Sequence, residues 1–183
     1  MGLDRAIRIG DQDFELFISS EEIRDKVCAL AEKIDHWYHI QGVHPQALVI
    51  MDGAFVFASD LLRQMELELS PLFLKISSYK GLQQQEVKLD LSHSGKYLAN
   101  RPVLIIEDIL DSGNSMWKLL ENLKSHSVQD IRICSLLSKP DILRKEIKPD
   151  WVGFEIPPDF VIGYGLDCDG MGRGLQSIYR LRT

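Results

Sequence analysis

The spacing of hydrophobic positions changes along this chain, and each spacing predicts an element. Ile7 and Ile9 alternate with polar residues, and Phe14 to Ile18 make a short strand beyond the turn-forming Gly10–Asp13. From Ile23 the period lengthens. Ile23, Val27, Leu30, Ala31, Ile34 and Tyr38 fall on one face of a helix, the stripe a helix turns toward a core. Ser19, with Glu22 three positions on, supplies a capping box at its start. Gln46–Met51 is apolar almost without interruption and predicts a sheet strand. Asp52-Gly53-Ala54 then turn into a helix from Phe55 to about Gln64. Pro71 opens a strand to Tyr79, followed by the polar tip KGLQQQ and the alternating EVKLDL, a hairpin-like excursion.

The run Val103-Leu104-Ile105-Ile106 does not alternate, as expected for a strand buried on both faces of a parallel sheet. The strand predicted over 103–107 ends in Glu107 and Asp108. Asp111 and the small-residue turn Ser112-Gly113-Asn114-Ser115 follow, then a helix from about Ser115 to Ser125. Ile131 to Leu137 predicts another buried strand, ending in Ser138-Lys139-Pro140. Asp141 to Ile147 reads as a brief helical or irregular link. Short strands are predicted over Trp151 to Ile156, Phe160 to Leu166 and Gln176 to Leu181, with a glycine-rich loop around Arg173 between the last two. Strands alternating with helices give an α/β fold around a mostly parallel sheet. At 183 residues the expectation is a single domain.

Composition removes several classes of function. A net charge of −6 argues against a nucleic-acid binder held by a general basic field. No apolar run approaches the roughly 18 residues of a membrane helix, and the N-terminus has no apolar signal core. The expectation is a cytoplasmic protein. Cys28, Cys134 and Cys168 form no CxxC pair and read as reduced thiols. His36, His39 and His44 sit at and beyond the end of the first helix without carboxylate or thiol companions, so no metal site is read there.

The chemistry gathers around Glu107–Ser115. Carboxylates at the carboxyl end of a central strand accept hydrogen bonds from vicinal hydroxyls and hold Mg²⁺. Asp111 is placed to act as a base or acceptor. The Ser112–Ser115 turn offers amides and hydroxyls at a helix start, a cradle for phosphate. Together they point to a phosphorylated sugar; the alternative is an acidic loop with a helix cap at Ser112 or Ser115.

The stretch Val103–Ser115 resembles the phosphoribosyl-pyrophosphate signature of type I phosphoribosyltransferases: apolar strand, two acids, a third acid, then a Ser-Gly turn. MDGAFVFASDLLR (51–63), Ser78-Tyr79, SLLSKP (135–140), KPDWVGFEIPPDFVIGYGLD (148–167) and Arg173 resemble the hypoxanthine-guanine members, in the family's order and over nearly the whole chain. That resemblance implies a hood formed by the N- and C-terminal segments and a flexible lid hairpin. It implies transfer of the phosphoribosyl group from phosphoribosyl pyrophosphate to hypoxanthine or guanine.

The resemblance also implies roles for matching residues. Glu107 and Asp108 hold the ribose hydroxyls, Asp111 faces purine N7, and the segment through Ser112, Gly113, Asn114 and Ser115 binds the 5′-phosphate. Lys139 donates to the purine 6-oxo group, Phe160 stacks on the base, and the main chain of Val161 and Asp167 reads its far edge. Asp52, Gly53 and Arg173 bind pyrophosphate, the turn through backbone amides and often with a non-proline cis peptide. Glu107, Asp108 and Asp167 are the implied Mg²⁺ ligands. The loop from Ser78 and Tyr79 to about Ser94 closes over the site, and the assembly is a homodimer or homotetramer. A xanthine-preferring enzyme and a ligand-sensing nucleic-acid regulator of the same fold are the alternatives.

Three features depart from the family pattern. Asp52 stands where a Lys or Arg is usual, which is tolerated if pyrophosphate is held there by amides. The tip KGLQQQ lacks the usual small polar residues, and CDGMGRG (168–174) is unusually rich in glycine. Cys168 beside Asp167 reads as an exposed bystander thiol.

Overall fold

The computed structural model describes residues 6–76 and 95–182. Its frame is a five-stranded sheet of β3 (Gln46–Met51), β4 (Pro71–Lys75), β5 (Pro102–Leu110), β6 (Asp130–Ser138) and β7 (Trp151–Glu155), in the order β4-β3-β5-β6-β7. Every neighbouring pair is parallel. The two apolar runs without alternation explain why. Ala47 and Val49 of β3, with Leu104 and Ile106 of β5, face one core; Leu48 and Ile50, with Val103 and Ile105, face another. Each strand is therefore buried on both sides, which only helical layers on both faces can supply.

The first core is closed by α1 (Ser20–Gln41) and α2 (Phe55–Gln64), the second by α4 (Asn114–Lys124) and the single turn α3 (Gly95–Leu98). In α1 the Ser19–Glu22 capping box is present, and the buried residues are the six that the helical spacing predicts. The termini meet in a second, antiparallel sheet of β1 (Ala6–Ile9), β2 (Gln12–Ile18), β8 (Val161–Ile162) and β9 (Ile178–Leu181), in the order β1-β2-β9-β8. Phe14, Ile162 and Tyr179 form its small core. This is the expected hood. No helix among the described residues is long and apolar enough to cross a membrane.

Several boundaries differ from expectation, and the strand predicted from Pro71 ends at Lys75, one residue before the described stretch does. β5 continues through both carboxylates to Leu110, because its ladder with β6 extends through Glu107↔Ser135 to Leu110↔Ser138. The helix after the Ser112–Ser115 turn is capped by Gly113 in the left-handed region, φ 75°, without a side-chain cap, so neither Ser112 nor Ser115 serves as one. The predicted strand over Phe160–Leu166 shrinks to Val161–Ile162, since Gly163, Tyr164 and Gly165 all take positive φ and turn the chain. The strand predicted from Gln176 starts at Ile178. The hairpin tip KGLQQQ, the alternating EVKLDL, and Ser78 and Tyr79 lie outside the described residues.

Candidate active site at the switch point of the sheet

In this strand order, the chain leaves β3 to one side for β4 and returns on the other side as β5. Connections from adjacent parallel strands that diverge in this way leave a crevice at their carboxyl ends. The crevice here measures about 230 Å³. Gly53 lines it from the turn after β3, Glu107 and Asp108 from the end of β5, and Asp111 to Ser115 from the turn into α4. Residues 54 positions apart in sequence, Gly53 and Glu107, thus share one cleft.

The two carboxyls at its floor are unusual. Asp108 is only 8% exposed. Burial raises the proton affinity of Glu107 well above the carboxylate range, and the adjacent Asp108 raises it further. Burial also raises Asp108, but a hydrogen bond from Glu107, backbone amides including that of Ile109 (2.9 Å), and the charge of Arg173 oppose the rise. Of the two, Glu107 has its proton affinity raised the more clearly, because fewer groups oppose the rise. A cation or a pair of hydroxyls entering the cleft supplies the compensation the carboxylates lack.

Gly53 is packed on both sides. A β-carbon there would overlap Asp108 Oδ2, and a β-carbon on Gly165 would overlap the Gly53 carbonyl oxygen. The preceding Met51–Asp52 peptide is cis. The Asp52 side chain does not line the cleft; it pairs with Lys75 Nζ at 2.8 Å, across from Met51 in the β3–β4 ladder. The acid that departs from the family pattern is therefore turned to a lysine that sequence reading did not single out. The signal available was Lys75 itself, a cation closing an edge strand.

Lys139 follows β6 and is buried, its amide bonded to the Leu110 carbonyl at 2.9 Å. Its Nζ lies 3.3 Å from Asp111 Oδ1, which brings the end of β6 to the cleft. Arg173 reaches two partners, the Gly165 carbonyl (2.7 Å) and Asp167 Oδ1 (2.6 Å). The other Asp167 oxygen accepts the Gly170 amide at 2.7 Å. Phe160 is half-exposed on the hood, 6.2 Å from the Phe14 ring centroid. It borders a separate cavity with Gln12, Cys168 and Met171, while Val161 is buried in β8. Cys168 is partly buried and its thiol donates to Gln12 Oε1 at 3.4 Å.

Among the described residues, no three His, Cys, Asp or Glu side chains converge as a ready-made metal cage. Mg²⁺ does not require one: it is commonly held by one or two carboxylates, with water and substrate phosphates completing the shell. The adjacent carboxylates of Glu107, partly buried, and Asp108, buried, both lining the cleft, fit that donor set. Asp167 fits it only if it yields part of its pairing with Arg173.

The geometry agrees with what the chain is similar to. Residues 19–169 match the phosphoribosyl transferase domain family. The hypoxanthine-guanine phosphoribosyltransferase of Bacillus subtilis is 39% identical over 168 residues, covering 90% of this chain and 91% of that protein. The enzyme of the same name from Lactococcus lactis is 37% identical, covering 96% and 92%. Among solved structures, a hypoxanthine phosphoribosyltransferase from Staphylococcus aureus superposes with a TM-score of 0.82 at 34% identity, covering 92% of this chain and 91% of that one. A switch-point cleft with its acids and small-residue turn, a hood above it and these likenesses lead to one assignment: the chain belongs to the phosphoribosyltransferase family, among its hypoxanthine-guanine members.

Proposed function

We propose that this protein salvages 6-oxopurines, transferring the 5-phosphoribosyl group of phosphoribosyl pyrophosphate to hypoxanthine and guanine and releasing pyrophosphate. The observation that carries this reading is the Lys139–Asp111 pair, 3.3 Å apart at the edge of a cleft floored by the acids Glu107 and Asp108. A 6-oxopurine presents O6 and N7 side by side. An ammonium has only donors and suits O6, while a carboxylate beside it meets a proton on N7. An amino group at position 6 faces Lys139 with the wrong polarity, so adenine is rejected, by a factor on the order of 10⁴.

The remaining roles are those that the family resemblance implies. Glu107 and Asp108 accept the ribose hydroxyls, and the amides and hydroxyls of Ser112, Gly113, Asn114 and Ser115 hold the 5′-phosphate. The Gly53 turn offers backbone amides to pyrophosphate, with Asp52 turned aside to Lys75. Arg173 adds positive charge at that end. As the bond from C1 of the ribose to the pyrophosphate oxygen breaks, N9 of the base bonds to C1 and the electron pair leaves with pyrophosphate. The sugar gains oxocarbenium character, which the nearby carboxylates stabilise, while Asp111 takes the proton from the base. Mg²⁺, when bound by Glu107, Asp108 or Asp167, supplies charge neutralisation for the leaving group. Phe160 stacks on the base and the main chain of Val161 and Asp167 reads its far edge. Ser78 and Tyr79 complete the closure that excludes water. A cytoplasmic homodimer or homotetramer of single-domain chains completes the reading, and light scattering of the purified protein checks the assembly.

Xanthine differs from the two preferred bases at position 2 and is the second candidate substrate; the names carried by the relatives favour hypoxanthine and guanine. A net charge of −6 disfavours a nucleic-acid-binding regulator. Initial rates with hypoxanthine, guanine, xanthine, adenine and uracil, in Mg²⁺ and the phosphoribosyl donor, test the proposal. Turnover with hypoxanthine or guanine is expected, and its absence with every 6-oxopurine sinks the reading.

A further inference from the structure

The loop between β8 and β9 contains an aromatic residue in a conformation that aromatic residues seldom take. Gly163, Tyr164 and Gly165 have φ of 100°, 51° and 103°. The glycines adopt such angles freely, whereas a bulky side chain at positive φ is held there only by strong surroundings. Those surroundings are specific. Tyr164 N donates to the Leu175 carbonyl at 2.8 Å, and Gly165 N donates to the Arg173 carbonyl at 2.9 Å. The Tyr164 hydroxyl donates to Asp60 Oδ2 at 2.7 Å, joining this loop to α2, 104 residues away in the chain. Burial, and then the Asp60 carboxylate, push the phenol's proton affinity up, so it remains a donor.

What this bond holds in place is the donor turn. Gly165 abuts the Gly53 carbonyl so closely that a β-carbon on Gly165 has no space, and Gly53 abuts the Asp108 carboxylate so closely that a β-carbon on Gly53 has none. α2 begins at Phe55, directly after that turn, and carries Asp60 near its middle. The bond thus ties the two sides of a stack, Gly165 against Gly53 against Asp108, from outside the cleft. Tyr164 borders a cavity on the far side, lined with Val56, Asp60 and Arg173, and does not line the cleft itself.

We propose that Tyr164 is a positioning residue for the pyrophosphate donor: its hydrogen bond to Asp60 holds Gly165 against Gly53 and fixes the height of the donor turn over Asp108. This rests on the donor-binding reading above. The test measures donor affinity by calorimetry, without a base, and KM for hypoxanthine separately. Tyr164→Phe and Asp60→Ala should each weaken donor binding about 3- to 10-fold, the worth of one hydrogen bond. Both should leave KM for hypoxanthine within about 2-fold, because uniform effects on both substrates belong to general damage. The double variant should be no worse than either single one. Asp60→Asn, which keeps an acceptor, should restore most of the affinity lost in Asp60→Ala; this pair carries the test if Tyr164→Phe does not fold. Unchanged donor affinity in folded Tyr164→Phe overturns the proposal, as does an equal loss for donor and base. A wild type that binds donor but turns over no 6-oxopurine defeats the proposed reaction and leaves this test intact.

Discussion

The cleft is bounded by two turns, each at the carboxyl end of a central strand, and they are built in opposite ways. The turn after β3 is clamped. Asp108 presses on Gly53 from one side and Gly165 from the other, and Asp52 is held by Lys75. The turn after β5 is supported from one side only. Leu143 and Ile147 pack beneath Gly113, Arg144 N donates to the Ser112 carbonyl at 3.2 Å, and the Arg144 guanidinium reaches Asn114 Oδ1 at 3.3 Å. Ser112 to Ser115 line the cleft from this side. Rigidity at the first turn and open amides at the second suit a ligand with pyrophosphate at one end and a 5′-phosphate at the other.

Breaking the clamped turn should have the largest effect. Gly53→Ala has no space for its methyl group, so Asp108 or the Gly165 loop must move. A displacement near 1 Å at a reacting centre costs on the order of 100-fold, and kcat/KM should fall by at least that, with a melting measurement to confirm a folded protein. Asp111→Asn tests the other turn at a different step. It removes the acceptor for the base proton, so kcat should fall about 100-fold. Donor affinity should hold; loss of affinity with kcat preserved would reassign Asp111 to ribose binding. Gly113→Ala combines a positive φ with a β-carbon 2.8 Å from Leu143 Cδ1. Stability should drop by about 1–2 kcal/mol, with a several-fold rise in KM for the donor, both readable in one thermal melt and one kinetic series.

The floor of the cleft sharpens the comparison through pH. The folded protein raises the proton affinity of Glu107 above its unfolded value. Such a group contributes stability below the unfolded pKa and loses that contribution as pH rises through the folded pKa. Without ligands, the protein should therefore grow less stable as pH rises through the folded pKa of Glu107. Glu107→Gln removes the titration. It should raise the melting temperature at the alkaline end by about 2–4 °C, the equivalent of ~1 kcal/mol for a chain of this size, while weakening the donor and Mg²⁺. A Glu107→Gln variant that melts lower than wild type at that pH would contradict a raised proton affinity at Glu107. The smallest effect is expected at Asp52. Its pair with Lys75 is solvent-exposed, so Asp52→Asn should change stability by less than about 0.5 kcal/mol. Donor affinity should stay within about 2-fold if backbone amides carry the contact.

Sequence reading reached different depths in the two turns. The β5 side was legible because its determinants are local: an apolar run, three acids and a small-residue turn within Val103–Ser115. The helix α1 was legible for the same reason, its cap and stripe being written in consecutive turns. The extension of β5 to Leu110 was not, because ionisable residues ordinarily end a buried strand, and only the ladder to β6 carries this one onward. The clamp around Gly53 was hidden for a further reason. Its parts, Lys75, Asp60, Tyr164 and Gly165, act through contacts that span 23 residues for Lys75–Asp52 and 104 for Tyr164–Asp60. Phe160–Leu166 looked like a strand because its apolar content is high, yet its glycines and Tyr164 turn the chain, and Tyr164 bonds to Asp60 of α2, 104 residues away.

The central claim is that the phosphoribosyl donor occupies the cleft between these two turns, with the hood serving the base. Calorimetric titration of phosphoribosyl pyrophosphate into the wild type, Gly53→Ala and Phe160→Ala tests it directly, in Mg²⁺ and without any base. Wild-type and Phe160→Ala protein should bind the donor within about 2-fold of each other, and Gly53→Ala should lose measurable binding. Donor binding that survives Gly53→Ala but is lost in Phe160→Ala would put the donor under the hood and contradict the account.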